Sequence, residues 1–161
     1  MHVKLQVLTQ YLEDPELSQH YCTLKQMIDY ERKENLLKDS RKLSGTRTYL
    51  RLHRAIAFVQ QFAFKLSTAQ GHDRTDLLAK DAYRSTLAKH HSWLIQRGVL
   101  LALHMLPNRD DLIRRVLGSQ VFDLQGVERV KQRLHEMSEL TLQTFNESEL
   151  VMTREKVTDL L

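Results

Sequence analysis

Very little in this chain can pin a fold covalently or interrupt one. Cys22 is the single cysteine among 161 residues, which excludes an internal disulfide and fits a reducing compartment. It sits in the helical run YCTLKQMI, where a buried structural thiol is expected rather than a nucleophile. Two prolines and five glycines enforce few turns, and the long stretches of Leu, Lys, Arg, Gln and Glu between them point to an all-α fold. No apolar run reaches the ~20 residues that span a bilayer, and the opening MHVKLQVL lacks the continuous apolar segment of a secretory signal. A cytosolic protein is expected. The net charge of +4 is too small to demand nucleic acid, and no aromatic-interleaved basic run exists to bind it. An anionic membrane surface or an acidic ligand suits that charge better. The length fits one domain with a sizeable core. Periodicity weakens after about residue 146, so residues 1–146 are expected to form the domain and 147–161 a docked or frayed tail.

What the chain does have is a helix carrying both an apolar stripe and a row of cations. In SGTRTYLRLHRAIAFVQQFAFKL, residues 44–66, the apolar positions Leu52, Ala55, Ile56, Val59, Phe62, Ala63 and Leu66 recur at steps of three and four. Ser44 or Thr46 is a candidate cap, and Gly45 supplies the turn into the helix. Arg47, Arg51 and Arg54 follow one another at steps of four and three, which places Arg47 and Arg51 one turn apart on one face. Neighbouring guanidiniums repel unless an anion lies between them, and their planar forks match phosphate or carboxylate oxygens. The competing interpretation is a solvated basic face, which periodicity alone favours.

The segment TRTYLRLHRAIAFVQQF resembles the central helix of the glycolipid transfer protein superfamily, and most closely its ceramide-1-phosphate transfer branch. In glycolipid-transferring members the position matching Arg51 is a tryptophan that stacks on a sugar. Arginine there implies a phosphate head group. The resemblance further implies an eight-helix, two-layer, all-α fold enclosing an apolar lipid pocket, with no cofactor and no catalysis. Aligned on KLQVL, Lys4 matches a phosphate-binding lysine, while an aspartate that accepts hydrogen bonds from the sphingoid amide and hydroxyl would fall immediately before Met1. The chain thus resembles a family domain lacking its first one to two helices. Phosphate binding is expected at Lys4, Arg47 and Arg51.

Elsewhere, residues 17–43 read as one long helix with a Ser18 cap, whose charged half ERKENLLKDSRKL is a solvated end; contact of its Lys and Arg with lipid head groups is the alternative. The segment STAQGHDRTD is a loop, with Thr75 or Asp76 capping the helix beyond it. In LAKHHSW the adjacent His90 and His91 point to different sides, with no ligand partner at metal spacing and no credible nucleophile nearby. Spacing alone makes His91 an ordinary histidine. The family resemblance matches it to a histidine that hydrogen-bonds the ceramide amide carbonyl, and Trp93 to a tryptophan two residues on. Ten of the fourteen residues in WLIQRGVLLALHML are apolar on all sides, which describes a buried core helix, some of whose side chains line a greasy pocket. The last long helix is expected over residues 125–149, packing Val127, Val130, Leu134, Met137, Leu140 and Phe145 inward.

The function expected from these readings is non-enzymatic binding and intermembrane transfer of a sphingolipid, most simply ceramide 1-phosphate, by a monomer in transient contact with membranes. The alternative is a helical lipid-sensor or protein-interaction module that transfers nothing.

Overall fold

Every regular element among the described residues is a helix. The computed structural model describes residues 2–39, 41–71, 73–118 and 123–161, with side chains from Gln6 onward in the first helix. The helices are α1 (His2–Glu13), α2 (Ser18–Tyr21), α3 (Leu24–Lys33), α4 (Gly45–Thr68), α5 (Thr75–Ser85), α6 (Trp93–Leu103), α7 (Arg109–Leu117) and α8 (Leu124–Arg154), with a 3-10 turn at Ala88–His90. They form two compact units, Met1–Arg54 with Thr144–Leu161, and Ala55–Gln143.

In the first unit, Asp14 stops α1 ahead of Pro15 by accepting from the backbone N–H of Glu16 and Leu17 at 2.8 and 3.1 Å. The single helix expected over 17–43 is instead two helices and a loop. Thr23 is extended and its hydroxyl accepts from the Gln26 N–H, so it caps α3 and breaks the run. Cys22 at that break is exposed, its thiol donating to the Ser18 carbonyl, which corrects the expectation of a buried thiol. Ser18 lies inside α2 and caps nothing; Leu17 is at the cap position. The helix α3 ends at Lys33 because Asn35 adopts the left-handed region, φ 54°, and the Leu36 N–H closes onto the Glu31 carbonyl at 2.8 Å. Asparagine tolerates that conformation better than most residues.

Glu31 joins α3 to the start of α4. Its carboxylate is wholly buried and accepts from the Tyr21 hydroxyl (3.0 Å), the Ser44 hydroxyl (2.7 Å), Gly45 N–H (2.6 Å) and Thr46 N–H (3.1 Å). An anion on the free N–H groups of a helix start is favoured by the helix dipole, and each oxygen is fully partnered. Ser44 is the cap, accepting from Arg47 N–H at 3.0 Å. Gly45 is required by proximity: a Cβ there would lie 2.6 Å from Met27 Sδ and 2.9 Å from the Tyr21 ring.

The core of this unit gathers Ile28, Leu37, Leu50, Met152 and Val157. Residues after α8 are docked: Val157 is buried, Arg32 binds Glu155 through its carboxylate (3.0 Å) and carbonyl (2.7 Å), and Arg54 donates to the Thr158 carbonyl at 2.9 Å. The expected division between residues 146 and 147 falls inside α8. His53 is buried, stacked on Phe145 at 4.0 Å and bonded to Glu149 at 2.8 Å; burial holds its pKa below the ordinary value despite that carboxylate.

In the second unit, Ala79, Ala82 and Tyr83 of α5 and Ala63 of α4 are buried, while Ile113, Leu117 and Val130 form a cluster between α7 and α8. Arg74, not Thr75 or Asp76, stands at the cap position of α5, without a side-chain cap. Asp76 is buried instead as an ion-pair partner. It accepts from Lys80 at 2.8 Å and from two Arg74 nitrogens at 3.0 Å, and these bonds hold its pKa down to about 2. Asp76 therefore contributes stability above the unfolded carboxylate range near ~4, and that contribution disappears as pH falls toward about 2. Thermal unfolding of Asp76→Asn should show a midpoint well below the parent at neutral pH, with the gap closing between about pH 4 and pH 2. A gap that is the same at every pH refutes the ion-pair account.

Candidate functional site

The cations expected to bind phosphate lie where α4 begins, within the first unit. Arg47 and Arg51 line one groove of about 560 Å³, together with Lys38 and Lys42 from the loop that precedes α4. Leu37, Leu43 and Leu160 form apolar parts of its wall, and Asp159 is the carboxylate side chain in it. Lys4 was expected at this site through its place in α1; its side chain lies outside the described residues.

The two arginines are not equivalent. Arg47 is buried, and its guanidinium donates to the carbonyls of Leu37 (3.1 Å), Asp39 (2.8 Å) and Lys42. Three of its N–H donors thereby tie down the 37–42 loop, leaving Nε and one Nη1 hydrogen among the five a guanidinium carries. Asp39 secures the same loop with its side chain, which accepts from the backbone and Nε of Arg41; these bonds hold its carboxyl below the usual range. The Arg51 side chain is exposed and, among the described residues, has no hydrogen-bond or ion-pair partner; the same is true of the Lys38 and Lys42 side chains, although the Asp39 carboxylate acts on Lys42 at longer range. The buried arginine thus shapes a loop that presents two lysines beside a free arginine. Lys38 and Lys42 stood in the sequence only as an alternative, as members of a run better described as a solvated helix end. The available signal was Asn35 followed by Asp39, both turn formers in a stretch otherwise rich in helix formers.

In the second unit His91 follows the 3-10 turn. The hydroxyl of Tyr83, a buried residue, lies 2.8 Å from His91 Nδ1, and the His91 carbonyl accepts from the Gln96 amide at 2.9 Å. With Tyr83 donating, the neutral ring carries its proton on Nε2. Among the described residues Nε2 has no partner, so the half-buried ring offers one donor suited to a carbonyl oxygen. His91 and the α4 arginines belong to different units.

Apolar side chains are left open across the second unit, and this corrects two expectations. The stripe on α4 is only in part its buried face: Ala63 is buried and Leu52, Ala55, Phe62 and Leu66 are half-buried, but Ile56 and Val59 are 39% and 43% exposed, and the polar Gln60 and Ser67 are buried. The helix expected to be core, α6, has no buried residue, and Trp93, Leu94 and Leu101 are each at least two-thirds exposed. All-round apolarity records that every face leaves water favourably; it does not guarantee that neighbouring helices cover each face. In α8, Val130 packs inward as expected, but Leu140 is exposed. Arg97 covers part of the Trp93 ring with its guanidinium, 5.2 Å from the ring centre.

Comparison with known proteins gives these features a context. The model of the family described as glycolipid transfer protein matches residues 1–118. The ceramide-1-phosphate transfer protein of Rattus norvegicus is 41% identical over 112 residues, covering 66% of this chain and 51% of its own length. The Homo sapiens protein of that name is 32% identical over 147 residues, covering 82% of this chain and 68% of its own. The chain thus spans about half the length of several curated relatives. Among solved structures, the mouse ceramide-1-phosphate transfer protein without ligand superposes with a TM-score of 0.87 at 30% identity, over 99% of this chain and 75% of that one. The human protein in complex with 12:0 ceramide-1-phosphate gives 0.84 at 29% identity over the same shares.

Proposed function

The chain belongs to the glycolipid transfer protein family, and from that premise we propose that it binds a sphingolipid and carries it between membranes, with ceramide 1-phosphate as the preferred cargo. The carrying observation is the groove in which the side chains of Lys38, Lys42 and Arg51 stand without hydrogen-bond or ion-pair partners among the described residues, beside the loop-bound Arg47. Unpaired cations clustered in one cavity repel each other until an anion arrives, and a phosphate monoester offers the oxygens for charge-assisted bonds to each of them. Arg47 contributes through its remaining donors. The ceramide amide carbonyl is the acceptor for His91 Nε2.

The open apolar side chains of α4, α6 and α8 serve the lipid's hydrocarbon. Each methylene removed from water contributes about 0.8 kcal/mol, so the chains supply most of the affinity and the polar end decides which lipid is taken. Reversible release at a membrane requires only that these contacts be exchanged for those of the bilayer, and no covalent step is involved. Exposed Trp93 and Leu94 at the start of α6 are suited to a transient membrane contact, with the indole at the polar boundary. Among the described residues no helix is long and apolar enough to cross a membrane. A cytosolic carrier that visits membranes without residing in them is the corresponding location.

The test is vesicle-to-vesicle transfer by the purified chain, comparing ceramide 1-phosphate, galactosylceramide and phosphatidic acid. Selective movement of ceramide 1-phosphate supports the proposal. A helical chain that binds the lipid without moving it is a sensor or interaction module instead, and one that binds none of the three refutes the reading altogether. In direct binding, His91→Leu should weaken ceramide 1-phosphate and unphosphorylated ceramide alike, about tenfold for a lost hydrogen bond, since both carry the amide. Weakening of only one head-group class removes His91 from the amide-binding role.

A further inference from the structure

The groove that holds the four cations also holds a carboxylate that none of them neutralises. Asp159 lines it and is exposed; its charge acts on Arg54, which is not among the groove's lining residues, and it forms no direct ion pair among the described residues. Its position is nonetheless fixed by the residues on both sides. Arg54 grips the Thr158 carbonyl at 2.9 Å, Val157 is 1% exposed, and Leu160 packs against the core cluster of the first unit. The carboxylate is therefore anchored near the cations rather than carried there by a free tail. It also lies well beyond residue 118, where the family match ends, so this part of the groove is not described by that match.

A fixed negative charge among cations lowers the potential felt by any incoming anion. It opposes a phosphate most when the phosphate is doubly charged, and it has no such effect on a neutral head group. We propose that Asp159 is a specificity-determining residue that limits how tightly the groove holds a phosphate, so that a bound anion is retained selectively and still released. This inference rests on the reading of the groove as a phosphate site.

Two probes separate the inference from that reading. Inorganic phosphate is titrated into the full chain and followed by the backbone amide shifts of residues 37–51, and short-chain ceramide 1-phosphate is titrated alongside unphosphorylated ceramide. Asp159→Asn keeps the shape and removes the charge. It should tighten inorganic phosphate and ceramide 1-phosphate about threefold to fivefold, the size expected of one unit charge several ångströms away in a solvated groove. The gain should shrink as salt is raised from low to near-molar, and unphosphorylated ceramide should not change. A purely structural role for Asp159 would not produce that salt dependence. Tighter inorganic phosphate binding, with neither chain taking up ceramide 1-phosphate, supports the inference and overturns the lipid reading. Equal ceramide 1-phosphate affinity in the two chains overturns the inference and leaves the lipid reading intact. An equal change for phosphorylated and unphosphorylated ceramide also overturns it, and a groove that takes up no phosphate in either chain overturns both.

Discussion

With Arg51 replaced by leucine, ceramide-1-phosphate uptake is expected to fall about a hundredfold while helix content and thermal midpoint stay unchanged. The size follows from the loss of a forked, charge-assisted contact together with the anion left underserved in its groove. The absence of a stability effect follows from the position of Arg51, exposed and unpaired among the described residues, so that leucine breaks no internal bond. Lipid uptake and circular dichroism on one preparation check both halves. Arg47→Leu should differ in kind, because its guanidinium holds three loop carbonyls: uptake and stability should fall together. If Arg51→Leu retained uptake, the phosphate assignment would be lost.

Glu31→Leu is expected to be the most destabilising change considered, at about 3–5 kcal/mol, the usual consequence of deleting the charged partner of a buried network. The substitution strands the Tyr21 and Ser44 hydroxyls and the N–H groups of Gly45 and Thr46, all inside the protein. Denaturant unfolding should show a lower midpoint. Glu31→Gln should recover part of the loss, since its single carbonyl still accepts while its amide opposes donors already present. A loss below about 1 kcal/mol for leucine would mean that water or a rearranged helix start takes over those donors.

The sequence announced its helices where periodicity is long and caps are ordinary. The start of α4 follows Ser44, whose side chain accepts from the N–H group of Arg47. It was misleading over residues 17–43, where strong helix formers flank two short conformational decisions, an extended Thr23 and a left-handed Asn35. Such decisions rest on single hydrogen bonds and leave no period. Arg51 was legible as a head-group candidate because its neighbours on the helix carry the family pattern. Lys38 and Lys42 were legible only as the weaker alternative, because the folding of their loop back onto Arg47 depends on carbonyl positions that no side-chain pattern records. Apolarity on α6 was plain in the sequence; what covers it was not, since hydrophobicity measures a tendency to leave water and names no neighbour.

The grip of Arg47 on the 37–42 loop also determines how this protein could be re-engineered. On the proposed reading, head-group preference and foldability are written on different residues that lie only a turn apart. A combinatorial library aimed at new cargoes can randomise Lys38, Lys42 and Arg51 together, provided Arg47 is held constant as the loop's internal fastener. Randomising both arginines as a pair would discard most variants as misfolded before any new ligand was tried.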